Sequence, residues 1–259
     1  MAQAPAPDRP DVCVVMAVLN GAEILPKALA SVAAERPRQV LVVDGGSIDG
    51  SLDLVRTSKD VTWWTSGPDR GIFDAWNKAL PHVTAQWVLF VGADDVLKPG
   101  ALAAAMPRLA ALPPGTEAAY GLVEHVTPDG RVLRTIGRPW AKERPRFLHG
   151  VMRLPHSGMF HHRSLFATGR FDADYRVSGD YAFLLPSLRR TPPVFLDGLV
   201  VLAMQVGGVS SRLGNRLLTL RESRQARRKA GLHGVPWRWG VAYAYNALQV
   251  AAGRLRGQR

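Results

Sequence analysis

Ser66-Gly-Pro-Asp-Arg-Gly-Ile-Phe-Asp-Ala-Trp-Asn-Lys-Ala-Leu80 lies between an apolar run ending Val43-Asp44-Gly45-Gly46-Ser47 and another ending Val91-Gly92-Ala93-Asp94-Asp95. Carboxylates therefore fall at three successive strand or loop ends. In an α/β sheet such ends converge on one crevice, where phosphorylated ligands and their metal ions bind. Outward from this stretch, apolar runs bounded by turn residues alternate with helical stretches, the sequence form of βαβ units. Strands are expected at 12–18, 39–43, 61–65 and 87–91, with helices at 22–34, 51–58, 72–80 and 100–112. From Glu117 the rhythm changes. Segments 118–126 and 131–136 flank the turn Thr127-Pro-Asp-Gly130, which has hairpin character. After Pro139 the chain reads as irregular until a helix at 178–190, followed by one or two strands within 194–206.

The 259 residues, 47% of them hydrophobic, suffice for one large α/β domain with a full core, or one domain plus an appendage. Cys13 is the sole cysteine and falls inside Val12-Cys-Val-Val-Met16, so it reads as a buried small side chain and there is no internal disulfide framework. Residues 1–10 lack the charged start and apolar core of a secretory signal and read as a disordered lead-in. No stretch reaches the about 18 uncharged apolar residues of a spanning helix. A cytoplasmic location is expected.

The net charge of +12 is unevenly placed: residues 212–259 hold eleven Arg or Lys against one acid, Glu222. The body is nearly neutral. Residues 212–230 read as a basic helix with Leu213, Leu217 and Leu220 on one side, and Pro236-Trp-Arg-Trp239 opens a second, more apolar helix. Basic residues beside Trp, Tyr and Leu describe a helix lying on anionic lipid, where each near-surface cation adds about 1 kcal/mol. The alternative is a solvated helix packing one face on the core. Nucleic acid is not an expected partner, because no recognition module is present and the body is neutral.

Each acidic cluster has a chemical reading. Asp44, at a strand end before two glycines, can accept a hydrogen bond from a base N–H or a ribose hydroxyl, with Ser47 beside it; an ordinary strand-to-helix turn, capped by Ser47 or Asp49, is the alternative. Asp94 and Asp95 can hold the hard divalent cation that a diphosphate leaving group needs. Asp74, Asn77 and Lys78 fall at i, i+3 and i+4 on one helical face. Asp180, in Val177-Ser-Gly-Asp-Tyr181, opens a helix, where the positive dipole end keeps a carboxylate ionised and available as a base.

Together these motifs resemble glycosyltransferase family 2, over most of residues 10–211. Pro68-Asp-Arg-Gly-Ile-Phe-Asp-Ala-Trp-Asn-Lys78 is the most specific of them. The resemblance implies a GT-A (nucleotide-diphospho-sugar transferase) fold: a central, mostly parallel mixed sheet flanked by helices. Here that domain spans 11–211, with a basic helical appendage at 212–259. It is similar to bacterial enzymes that build surface polysaccharide, colanic-acid type included, or glycolipid. The implied donor-site residues are Asp44, Ser47, Asp69, Gly71, Asp74, Asn77, Lys78, Ala93, Asp94 and Asp95. Asp94 matches the final carboxylate of the D-x-D metal motif for Mn²⁺ or Mg²⁺, and Asp180 matches the catalytic base. His156 falls in the segment near the acceptor, and Ser210 and Arg212 in a loop that closes over the diphosphate. Two departures stand out: Gly45 and Gly92 occupy positions where relatives carry acids.

The implied activity is inverting transfer of a sugar from a nucleotide sugar, a UDP-sugar first among them, to a hydroxyl of a lipid-linked or saccharide acceptor, at the inner face of the cell membrane. Two alternatives stand beside it. One is a GT-A-fold binding protein without turnover, suggested by Gly45 and Gly92. The other is a nucleotidyltransferase; dinucleotide and P-loop chemistry are disfavoured because Leu19-Asn-Gly-Ala-Glu23 carries neither glycine signature.

Overall fold

The computed structural model describes residues 10–206, 213–234, 240 and 244. Ser210 and Arg212, nearly all of the N-terminal lead-in and most of the second tail helix lie outside the described residues.

Four apolar runs build the half of the sheet that carries the site. β1 (Val12–Val18), β2 (Gln39–Asp44), β3 (Trp63–Ser66) and β4 (Trp87–Gly92) pair in parallel in the order β3-β2-β1-β4. β1 and β4 are buried along almost their whole length, as parallel strands covered on both faces must be. Their C-terminal ends are level: Val18 pairs with Asp44, Asp44 with Ser66, and Ala17 with Gly92. This register brings the three acidic loops to one edge.

Helices α1 (Leu25–Ala34), α2 (Ser51–Thr57) and α3 (Ile72–Ala79) connect these strands. α1 starts at Leu25 and not at residue 22 as expected, and before it the Gly21 and Ala22 N–H groups bond Ser51 Oγ and Asp49 Oδ2, at 2.8 and 2.9 Å. Leu25, Ala28 and Val32 of α1 join the core on one face of the sheet, while Phe73, Ala75, Trp76 and Ala79 of α3 join the core on the other.

Beyond β4 the sheet becomes mixed. β5 (Asp95–Leu97), α4 (Ala101–Ala110), β6 (Ala118–Val126) and β7 (Val132–Ile136) come first. Then follow α5 (Trp140–Leu148), β8 (Met159–His162), α6 (Leu165–Thr168), α7 (Gly179–Arg190) and β9 (Val194–Gln205). The full order is β3-β2-β1-β4-β8-β6-β9-β5, with β7 on β6. Segment 139–178, expected to be irregular, is therefore corrected: it holds α5, β8 and α6. β8 fills the centre of the sheet between β4 and β6, and its His161 is fully buried.

α8 (Leu213–Lys229) packs against α7. The side it buries most deeply is not the leucine side. Leu217 and Leu220 are half-buried, whereas Glu222, Ser223, Ala226 and Arg227 are buried and Arg221, Arg224 and Arg228 are exposed. Arg227 is held by the carbonyls of Leu148 and Gly234, at 3.0 and 2.7 Å. The described part of the tail is thus docked on the body. No helix among the described residues is long and apolar enough to cross a membrane.

Candidate active site

Asp44 closes the β2 end. It is fully buried, and its carboxylate accepts from the N–H groups of Gly46 (3.0 Å) and Ser47 (3.1 Å) and from Ser66 Oγ (2.6 Å). Burial pulls its pKa up, but the hydrogen bonds from Ser47, Ser66 and Gly46 outweigh it and hold the carboxyl below the usual carboxylate range. In this structure the Asp44 lone pairs shape the turn at the β2 end. Ser47 shares that duty, its Oγ accepting from Asn20 N–H at 2.8 Å, while Ile48 N–H returns to Asn20 Oδ1 at 3.0 Å. Asn20 sits at φ 49°, a conformation that asparagine tolerates. The β1 and β2 loops are thereby zipped into one rigid wall.

Gly45 leaves room for Asp69. A Cβ on Gly45 would lie 2.8 Å from Asp69 Oδ2, so the Asp69 carboxylate occupies the space an acidic side chain at position 45 would need. Asp69 Oδ1 also accepts from Gly71 N–H at 2.8 Å, and Gly71 takes φ 119° to open α3. Asp74, in the first turn of α3, accepts from Arg70 N–H at 3.2 Å.

Two expected donor-site residues of this motif turn out to hold backbone. Asn77 makes a two-way amide bridge with Phe171, donating to its carbonyl at 2.7 Å and accepting from its N–H at 3.0 Å. Lys78 donates to Pro68 O at 2.8 Å and lies 3.7 Å from Asp74 Oδ2. Trp76 is buried, as expected of a lone aromatic in a helix. Its ring stacks on His156 at 5.0 Å between centroids. His156 Nε2 is buried without a hydrogen-bond partner, and burial, helped by His161, holds the pKa well below the usual histidine value.

The β4 end forms an acidic corner. Asp94 is half-buried and Asp95 is buried, with Asp95 Oδ2 accepting from Gly92 N–H at 2.9 Å. A Cβ on Gly92 would lie 2.7 Å from Asp94 Oδ1 and 3.0 Å from Asp95 Oδ2. The missing side chain at position 92 is therefore what lets both carboxylates fold over the strand end. Burial, reinforced by the Asp94 charge, pushes the Asp95 carboxyl up to about 7. Asp95 Oδ1 is buried with no hydrogen-bond partner. Two crowded carboxylates, one with an unused oxygen, fit a divalent cation whose other ligands come from a diphosphate and water. No cluster of three or more His, Cys, Asp or Glu able to hold a metal exists among the described residues. Ala93 is half-buried and packs against the core.

Asp180 stands in the first turn of α7, half-buried, with Oδ1 accepting from Tyr181 N–H at 2.7 Å. Burial, with a smaller push from Glu222, raises its carboxyl to about 6 against the lowering effect of backbone N–H groups. A base that titrates there is matched to neutral pH. α7 begins directly on α3: a Cβ on Gly179 would meet the Phe73 ring at 2.6 Å, and Phe73 stacks on Phe171 at 5.8 Å. Arg70 reaches Asp174 at 3.7 Å across the same seam. The donor-side motif and the expected base thus share one packed junction. Gly179→Ala is expected to lower stability by about 1–3 kcal/mol through overpacking against Phe73, measured by urea denaturation.

Residues 13–174 match the family model described as glycosyl transferase family 2, and the chain belongs to that family. A PGL/p-HBAD biosynthesis glycosyltransferase of Mycobacterium bovis is 26% identical over 211 residues, covering 77% of this chain and 79% of the relative. Among solved structures, Staphylococcus aureus TarS 1–349 in complex with UDP superposes with a TM-score of 0.65 at 16% identity, over 91% of this chain and 70% of that one. Against another structure of TarS 1–349 the match spans 64% of its length. Glucosyl-3-phosphoglycerate synthase from Mycobacterium tuberculosis, in complex with Mn²⁺, UDP and glucosyl-3-phosphoglycerate, gives a TM-score of 0.55 at 19% identity, over 82% of this chain and 79% of that one. The fold is GT-A.

Proposed function

We propose that this protein is an inverting glycosyltransferase that moves a sugar from a UDP-sugar to a hydroxyl of a lipid-linked or saccharide acceptor in glycolipid or surface-polysaccharide synthesis. The observation that carries the reading is the placement of Asp180: a carboxyl raised to about 6 at the start of α7, packed through Gly179 and Phe73 against the Asp69–Asp74 motif. The names of the mycobacterial relative and the UDP complexes of the structural neighbours support the product class and the donor.

In this reading the acceptor oxygen attacks the anomeric carbon as the bond from that carbon to the diphosphate oxygen breaks. The acceptor proton passes to Asp180, and the nucleoside diphosphate leaves. One displacement inverts the anomeric centre. Asp94, backed by Asp95, would hold Mn²⁺ or Mg²⁺, which supplies charge neutralisation for the departing diphosphate. Asp69 and Gly71 line the donor side of the crevice, while Asp44, Ser47, Asn77 and Lys78 keep its loops in shape. The test is incubation with UDP-glucose, UDP-galactose and UDP-GlcNAc, each with phenolic and polyprenyl-phosphate-sugar acceptors. UDP release and the anomeric configuration of any product are then read by NMR. A retained anomeric configuration, or pyrophosphate release from nucleoside triphosphates in place of UDP, contradicts the proposal.

The pH dependence follows from Asp180. Its charged form is the base, so kcat/KM is expected to fall as pH drops through about 6, recorded in a pH–rate profile. The linkage to stability has the opposite sign. A carboxyl raised in the folded state binds more protons than in the unfolded chain, so its unfavourable contribution is present above about 6 and relieved toward 3.8.

The exposed Arg221, Arg224 and Arg228 of α8 suit attachment to an anionic inner leaflet, which would bring the crevice to a lipid-linked acceptor. Co-sedimentation with phosphatidylglycerol vesicles, weakened by salt and absent with phosphatidylcholine, is the expected result. Equal binding to both vesicles contradicts it.

A further inference from the structure

We infer that Glu222 is a positioning residue for the base: from α8 it fixes the backbone that presents Asp180, so the basic C-terminal helix is part of the catalytic apparatus. The inference rests on Asp180 being the base.

Glu222 is the only acid in residues 212–259 and it is buried. A carboxylate buried without partners would be strongly unfavourable. Here Oε1 accepts from Arg176 N–H at 2.8 Å, and Oε2 accepts from Val177 N–H at 2.9 Å and Ser178 N–H at 2.8 Å. These three successive donors precede α7, whose second residue is Asp180. Ser178 is the N-cap of α7 and Arg176 and Val177 lead into it, so the carboxylate sits beside the positive end of the helix, where a negative charge is favoured. The carboxylate comes from a helix that follows α7 by a whole strand, so it joins segments that chain connectivity leaves free.

A second tie runs from the same helix. Lys229 Nζ donates to Asp172 Oδ2 at 2.8 Å, two turns beyond Glu222, and lies 5.3 Å from the Tyr175 ring centroid. Asn77 and Arg70 hold the other side of this segment, at Phe171 and Asp174. Residues 171–178 are thus clamped between the donor motif and α8, with Asp180 at the exit of the clamp.

Charge adds to geometry. Among the described residues Glu222 is the charged group whose field acts on Asp180, and it acts to keep the base protonated to higher pH. α3 presents the apolar Phe73 to this junction, and α7 presents its own N–H groups. Glu222 therefore does two separable things: its oxygens order the loop and its charge tunes the base.

The two effects separate in two variants of the full chain, assayed as UDP release from whichever of UDP-glucose, UDP-galactose or UDP-GlcNAc the wild type turns over with Mn²⁺. Glu222→Gln removes the charge and keeps one acceptor oxygen, enough for the Val177 and Ser178 N–H groups while the bond from Arg176 N–H is given up, so the acid limb of the kcat/KM profile is expected to move to lower pH. Glu222→Ala removes both, and kcat is expected to fall about 10- to 100-fold while the KM for the UDP-sugar stays within about 2-fold, the signature of a misplaced base. A retained thermal shift with UDP and Mn²⁺ reports folding; if the alanine variant loses it, the glutamine variant decides. An acid limb unmoved in Glu222→Gln together with wild-type kcat in Glu222→Ala, while Asp180→Asn is inactive, overturns the inference alone. Full activity of Asp180→Asn overturns the base assignment and the inference with it.

Discussion

Asp180→Asn is expected to lower kcat for sugar transfer by about 10²- to 10⁴-fold, the range supplied by a positioned general base. Asparagine has nearly the shape of aspartate and can still accept from Tyr181 N–H, so α7 should start as before. In the proposed mechanism the change removes only the group that takes the acceptor proton. Donor binding should persist, because Asp180 belongs to the α7 end of the junction and the donor motif to the α3 end. The variant should also match or exceed the wild type in Tm at neutral pH, since burial disfavours the charged carboxylate. A melting curve beside a kinetic assay separates these effects: activity lost with Tm kept or raised is the expected pair. Activity lost together with a large fall in Tm would mean that Asp180 holds the fold.

The second large effect is expected at the acidic corner. Asp94→Ala should reduce turnover by about 10²- to 10³-fold, the cost typical of removing one stabiliser of developing charge. It should also abolish the difference between nucleotide binding with and without Mn²⁺. Stability should change little, because the Asp94 side chain is half-buried and the β4 end is held by Asp95 through Gly92 N–H. Removing Asp94 also relieves the like charge beside Asp95. Isothermal titration with UDP, with Mn²⁺ or with EDTA, measures the coupling directly.

β1, β2 and β4 were legible in the sequence because they are short apolar runs buried on both faces, and such runs betray themselves without long-range information. β8 was not, because Met159-Phe-His-His162 is a strand only through its partners β4 and β6, which bury His161. β5 has three residues, too few for a period, and is paired by the distant β9. α5 carries Pro145 and few apolar side chains, so nothing local announced it.

At the site, the sequence places the acid-bearing loops at one sheet edge, and the strand register brings them there; the direction of individual side chains is not legible in it. Asp44, Asn77 and Lys78 each bond nearby backbone, because loops that approach one another so closely need their N–H and C=O groups satisfied. The two glycines that looked like losses have steric reasons visible only in three dimensions: position 45 makes room for Asp69, and position 92 for Asp94 and Asp95. Which face of the tail helix meets the body was not legible: the buried side carries Glu222, which accepts from three N–H donors some 45 residues earlier. A lone acid among eleven cations was the available signal.

The central claim is a metal-assisted nucleotide-diphosphate site at the edge formed by β1, β2 and β4. The most direct test is a thermal-shift titration of the full chain with UDP, GDP, dTDP and CDP, with and without Mn²⁺, beside Asp94→Ala. The account predicts that UDP with Mn²⁺ raises Tm, by an amount equivalent to about 2.7 kcal/mol at a hundredfold excess over Kd, and that the metal-dependent part vanishes in Asp94→Ala. A folded protein whose Tm no nucleotide diphosphate moves, with or without metal, would contradict it.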